Sequence, residues 1–267
     1  MLEFKERISE ETAFSAAQET SDGISQKLLN NISHPGSDCA DAKTRSFDTE
    51  RMFFHDILNM AGIVDGFSGL IDDAETLEEA RTYAASAQRA SKILVETIRH
   101  YRLMRDAETG VLRVRTAPVN VSALAEELSR IIAAINKGGN KNLNFECPAG
   151  LVMETDSVLL GRVLVNMLIN AFEATVEGGE VRFTVQPVAG LVVFTVSNSI
   201  TIPDEMREHL FHPDNSTRGY GHGLGLYSVK LLGEKYLGGK ISCSSLPGAG
   251  TVFTAEFPVR AFFNSCA

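Results

Sequence analysis

Two short stretches carry polar or unusual residues where core packing alone would not put them. The first is NMLINAFEA, Asn166 to Ala174, inside an otherwise apolar run. Asn166, Asn170 and Glu173 stand at i, i+4 and i+7, which lines three side chains along one helical face. Asparagine is a poor helix former, and neither of these two marks a helix end. Either the stripe meets a ligand or it simply faces solvent. The second stretch is STRGYGHGLGLYSVK, Ser216 to Lys230, with glycines at 219, 221, 223 and 225 directly before a helical run. Glycine lets a backbone approach a ligand closely, and a helix N-terminus favours phosphate. No GxxxxGK[ST] occurs, so this is not a Walker loop.

The elements that must position these residues follow from periodicity. From about 47 to 107 the pattern is helical. Phe54, Ile57, Leu58, Ala61, Val64 and Leu70 recur at mostly three- and four-residue steps, and Leu77 to Met104 holds a second run. Asp72-Asp73 between them suits a turn and a helix start. Two long helices with a tight connection predict an antiparallel hairpin, whose surplus apolar surface predicts a dimeric four-helix bundle. The character changes near Thr116-Ala117-Pro118. Helices are predicted over Val121–Ile135, Asp156–Val176 and Leu224–Tyr236. Strands are predicted over Leu143–Cys147, Leu151–Glu154, Glu180–Pro187, Leu191–Asn198, Lys240–Ser245 and Thr251–Pro258. That is an α+β domain with helices against one face of a sheet.

Composition narrows the function classes. The net charge of -9 argues against a nucleic-acid partner, which usually meets a basic footprint. With no 18-residue apolar stretch, no membrane span is expected. The charged start, MLEFKERISEE, does not read as a signal peptide. Cys39, Cys147, Cys243 and Cys266 are scattered, as free thiols of a reducing compartment would be, and a cytoplasmic location is expected.

Taken together, the stretches resemble the ordered boxes of a sensor histidine kinase. NMLINAFEA is similar to the N box of the ATP-binding fold shared with gyrase- and Hsp90-type ATPases, and GHGLGLYSVK to its G2 box. HLFHPDNSTRG resembles the F box and lid, with Phe211 as the marker aromatic. PGAGTVFTAEFP resembles the closing hairpin, and FFHDILN, Phe53 to Asn59, the H box. The resemblance covers about residues 50 to 260. It implies an N-terminal segment over 1–46 and a dimerisation and phosphotransfer hairpin over 47–115. An α/β sandwich ATP-binding domain over 116–260 and a tail over 261–267 complete the expected chain.

The resemblance also assigns roles. Asn170 takes the place of the family's ligand for the Mg²⁺ that bridges the nucleotide phosphates, and Mg²⁺ favours oxygen ligands. Asn166 faces the same ATP, while Glu173 is equally consistent with a site role and with a solvated surface. Arg218 in the lid and the backbone at Gly221, Gly223 and Gly225 are expected at the phosphates. His55 is the phosphoacceptor, Asp56 takes or holds its imidazole proton, and Asn59 orients water when the partner is dephosphorylated. Met60 stands where many H boxes carry proline. The G1 box departs most: VSNSITIP replaces the usual D-x-G-x-G, whose Asp accepts from the adenine amino group. The strand phase puts Asn198 at the Asp position, and anchoring on Pro203 puts Ser197 there; Asn198 is preferred because its oxygen still accepts. The implied activity is autophosphorylation of His55 from Mg-ATP and transfer to the receiver domain of a separate response regulator. A histidine phosphotransferase with a degraded nucleotide site is the alternative, and an anti-sigma-type serine kinase a third.

Overall fold

The computed structural model describes residues 40–135, 140–207, 209–212 and 225–260. The 1–39 stretch and the 261–267 tail, both with expectations attached above, lie outside these residues. The chain divides into two units between Arg105 and Asp106.

The first unit is built on α1 (Ala40–Asp72) and most of α2 (Leu77–Glu108). Thr76 starts α2 through a capping box. Its hydroxyl accepts from the Glu79 N–H at 3.2 Å, and the Glu79 carboxylate accepts from the Thr76 N–H at 3.3 Å. The helices run antiparallel, because Phe67 pairs with Tyr83 near the turn while Phe53 stacks on Tyr101 far from it. Between them lie Ile63, Phe67 and Ala90, flanked by Met60, Val64, Leu70, Tyr83 and Ala87. The apolar stripes read from the sequence are thus used against each other.

The second unit begins ten residues before the composition break at Thr116. The last turn of α2 belongs to it, because the Ala107 carbonyl accepts from Tyr236 Oη at 2.5 Å and Lys235 Nζ at 3.2 Å. Then follow β1 (Ala117–Asn120), α3 (Val121–Ile135), β2 (Asn142–Glu146), β3 (Val152–Thr155) and α4 (Ser157–Ala174). After β4 (Glu180–Val188) and β5 (Leu191–Asn198) come α5 (Asp204–Arg207) and α6 (Gly225–Lys230), which continues as a π-helical turn, Leu231–Tyr236. β6 (Lys240–Leu246) and β7 (Gly250–Pro258) close the unit. β1 and β3 pair antiparallel, and a five-stranded sheet has the order β2-β4-β5-β7-β6. Its β2–β4 pair is parallel and the others antiparallel. β4 and β5 are joined through Ala189 and Gly190, both at positive φ, as a two-residue turn that matches strand twist requires.

Along β5 burial alternates strictly, and Val192, Phe194 and Val196 turn into the core with Phe183 and Phe257. Helix α4 covers β4 and β5. By length and composition α4 passes as a membrane span, a candidate that counting uninterrupted apolar residues does not find. Its apolar side is occupied instead: Leu159, Leu160, Val163, Leu164, Met167, Leu168, Ala171 and Phe172 are all buried. Asp156 caps α4, its Oδ1 accepting from the N–H groups of Val158 and Leu159 at 3.0 and 3.1 Å. Its Oδ2 accepts from the Arg115 N–H at 2.8 Å, which ties the chain entering β1 to the start of α4.

Candidate functional site

The remaining face of α4 is the polar stripe. Asn166 Nδ2 donates to Ser228 Oγ at 2.7 Å, and Ser228 Oγ donates to the Gly225 carbonyl at 2.7 Å. The Asn166 amide is also 3.5 Å from that carbonyl, across 59 residues of sequence. Asn170 Nδ2 donates to the Asn166 carbonyl at 2.7 Å. One N–H of the Asn170 amide is thereby given to the helix backbone, and the carboxamide oxygen is the atom a hard cation prefers. A Cβ on Gly225 would stand 3.3 Å from Asn170 Nδ2, so glycine is what lets the two elements meet this closely. Glu173 is exposed, at the outer end of the stripe. Asn166, Asn170 and Gly225 form one constellation, with the buried Ser228 as the link that sequence reading did not single out. Its only local signal is a small polar residue one helical turn after Gly225.

Asn198 ends β5 and is buried. Its Nδ2 donates to the Ala171 carbonyl at 2.9 Å, one residue beyond Asn170, and its Oδ1 accepts from the Ile200 N–H at 3.1 Å. The segment after it is held to the β6–β7 hairpin. Thr251 Oγ1 donates to the Ile200 carbonyl at 2.6 Å and lies 2.8 Å from Ser245 Oγ. Ser245 Oγ accepts from the Ile202 N–H at 2.8 Å, and Arg207 Nη1 donates to the Ser245 carbonyl at 2.8 Å. Gly250, at φ +83, packs so tightly on the Asn198 carbonyl that a Cβ would lie 2.0 Å from it. Ser245 and Thr251 are buried like Asn198, and nothing in their strand alternation announced this network.

Phe211, the F-box aromatic, meets α6 through charge and ring: Lys230 Nζ is 5.4 Å from the Phe211 centroid. Arg218, Gly221 and Gly223 lie outside the described residues. Beside Ser228, burial first, then the charge and hydrogen bond of Glu108, push the Tyr227 phenol up to about 12.

On α1, His55 is exposed and Asn59 buried. The Asn59 amide nitrogen is 3.1 Å from His55 Nδ1 and 3.3 Å from Nε2. The one-turn spacing thus produces a contact as well as a shared face. The side chain of Asp56, expected beside the imidazole, lies outside the described residues.

Comparison with known proteins matches residues 155–261 to the histidine kinase-, DNA gyrase B-, and HSP90-like ATPases. The catalytic domain of the histidine kinase ThkA is 31% identical, with a TM-score of 0.52, and the match covers 55% of this chain and 97% of that domain. The chain belongs to the histidine kinases. Sensor histidine kinase TmoS of Ectopseudomonas mendocina is 32% identical over 166 residues, 58% of this chain and 16% of TmoS. Sensor protein DivL of Caulobacter vibrioides is 27% identical over 196 residues, 72% of this chain and 25% of DivL. The histidine kinase chain therefore spans a quarter or less of the length of these curated relatives. As a fold likeness, ThkA in complex with the response regulator protein TrrA has a TM-score of 0.54 at 24% identity, over 91% of this chain and 66% of that one. In this histidine kinase the family match begins at Thr155, beside the Asp156 cap, and takes in the whole Asn166–Ser228 constellation.

Proposed function

We propose that the chain autophosphorylates His55 from Mg-ATP and passes the phosphoryl group to an aspartate of a separate response regulator, which it also dephosphorylates. The carrying observation is the meeting of Asn166, Asn170, Gly225 and Ser228, which brings two distant sequence boxes together. Asn170 holds Mg²⁺ through its carboxamide oxygen, consistent with its nitrogen being bonded to the Asn166 carbonyl. Mg²⁺, when bound, supplies neutralisation of phosphate charge. Asn166 fixes the start of α6, whose first N–H groups would meet the phosphates, and the resemblance gives Gly221, Gly223 and Arg218 a role at the same phosphates. Asp56 keeps the proton on one imidazole nitrogen, and the other attacks the γ-phosphorus. A P–N bond forms as the bond to the ADP oxygen breaks. The ThkA complex supports a receiver domain as the partner, and the apolar hairpin supports a homodimer.

Incubation of the full chain with γ-labelled ATP and Mg²⁺ tests this. Acid-labile, alkali-stable label on the wild type, absent from His55→Gln and chased onto a purified receiver domain, is the expected result. One observation favours a second reading, the histidine phosphotransferase: both carboxamide atoms of Asn198 already have partners within the protein. Under that reading the chain takes no label from ATP but takes it from a phosphorylated regulator.

A further inference from the structure

Ser228 is fully buried on α6, and its hydroxyl has partners on two elements. It donates to the Gly225 carbonyl at 2.7 Å and accepts from Asn166 Nδ2 at 2.7 Å. A hydroxyl has one proton to give. With that proton on the Gly225 carbonyl, the hydroxyl meets Asn166 only as an acceptor. The Gly225 carbonyl, also an acceptor, lies 3.5 Å from the same nitrogen. Two acceptors therefore hold the Asn166 carboxamide with its nitrogen toward α6. A flipped amide would set its oxygen against the Gly225 carbonyl and leave one hydroxyl proton for two acceptors.

The same hydroxyl ties the first residue of α6 to the middle of α4. Gly225 opens α6, and a Cβ there would stand 3.3 Å from Asn170 Nδ2. The spacing between the Asn170 carboxamide and the start of α6 is thus held by bonds that pass through Ser228. Ser129 supplies the contrast. It is buried on α3, and its hydroxyl donates at 2.8 Å to the Ala125 carbonyl of its own helix. That bond serves one helix, whereas the Ser228 hydroxyl serves two. We infer that Ser228 is a positioning residue of the nucleotide site, acting through Asn166 and Gly225 to hold the start of α6 against the Asn166–Asn170 face of α4. The inference rests on the nucleotide reading above. Ser228→Ala leaves Asn166 Nδ2 with only its 3.5 Å contact among the described residues.

The experiment is calorimetry on the full chain with Mg²⁺ and a non-hydrolysable ATP analogue, on the wild type, Ser228→Ala and Ser129→Ala, with urea unfolding of each. Ser228→Ala is expected to weaken binding about tenfold, the size of a donor left short of its partner. Ser129→Ala is expected to stay within about threefold of wild type, although it too loses stability. Ser228→Cys keeps nearly the same volume with a weaker acceptor and is read where the alanine variant does not fold; a loss of more than about threefold is expected. Autophosphorylation gives a second readout. Ser228→Ala should raise the KM for ATP by the factor seen in calorimetry and leave kcat within about threefold, because the hydroxyl acts on binding and not at the reacting atoms. Binding within about threefold of wild type in the Ser228 variant that folds, or equal weakening by Ser129→Ala, overturns the inference and leaves the nucleotide reading standing. So does a fall in kcat with KM unchanged, and so does failure of both Ser228 variants to fold, which would make the hydroxyl structural. No binding by the wild type, with folding confirmed by circular dichroism, overturns both.

Discussion

Asp56 follows His55 in the sequence and Asn59 contacts its imidazole, and the chemistry of the two side chains separates their roles. A carboxylate can hold a ring proton, whereas an amide near neutral pH can only donate or accept a hydrogen bond. Asp56→Asn is therefore expected to slow autophosphorylation by roughly 10²- to 10⁴-fold, the usual size of a positioned acid–base contribution. Asn59→Ala removes the 3.1 Å contact to His55 Nδ1. A single neutral hydrogen bond is worth about 1 kcal/mol, so autophosphorylation should fall by less than about tenfold. Dephosphorylation of the regulator should fall much further, because that step depends on a held water. Label followed over time on the kinase and on the regulator gives both rates for each variant. Equal loss of autophosphorylation in the two variants would sink the division of labour.

At the scale of elements, the start of α4 and the end of α2 are the joints to test. Asp156 satisfies two N–H groups of the first turn of α4 with one oxygen and the Arg115 N–H with the other. Asp156→Ala leaves all three without that partner and is expected to cost about 2 to 3 kcal/mol, above an ordinary cap because Asp156 is buried. Asp156→Asn keeps one acceptor oxygen and should lose clearly less; urea unfolding curves give both values. At the other joint, Tyr227 is held up at about 12 by burial and by Glu108. The folded state therefore keeps the phenol proton longer than the unfolded chain does. Its contribution to stability is whole below about pH 10, the ordinary tyrosine value, and is lost as pH rises from there through 12. Half-buried Cys243, pushed up to about 11 chiefly by desolvation, titrates in an overlapping range, so the comparison is between chains that differ only at position 227. Melting temperatures from pH 8 to 12 should fall less steeply for Tyr227→Phe than for the wild type; parallel curves would show that the fold does not hold the phenol proton.

On the scale of the whole molecule the question is how the hairpin covers its remaining apolar surface. Ile63, Phe67 and Ala90 are buried between α1 and α2, yet Phe54, Ile93, Val95 and Ile98 stay exposed in a single chain. Ile93 is 52% exposed, a large loss for a β-branched side chain unless a second copy covers it. The proposed homodimer predicts about twice the chain mass of 29.0 kDa by light scattering at micromolar concentration. Ile93→Asp should move that mass toward the monomer without changing the melting of the second unit. A wild-type monomer at every concentration tested would remove the proposal.

What the sequence determined by itself was local. The heptad-like stripes of α1 and α2, the Asn166–Asn170 face of α4, the alternation of β5 and the glycine run before α6 each follow from backbone geometry acting over a few residues. Helix and strand limits were legible for the same reason, and α4 ends within two residues of the expected Val176. Which groups meet was left to the tertiary structure. Nothing in the order of residues says that Ser228 completes Asn166 or that the Tyr236 hydroxyl draws the last turn of α2 into the second unit. Nor does it say that both atoms of the Asn198 carboxamide are engaged before any base arrives. Apart from the Asn198–Ile200 contact, these pairings join residues 27 or more positions apart. They depend on how a mixed sheet stacks its helices, and the parallel β2–β4 pair on which that stacking rests spans two intervening elements, β3 and α4. Local periodicity reports which face of an element is polar, and only the packed molecule decides what that face touches.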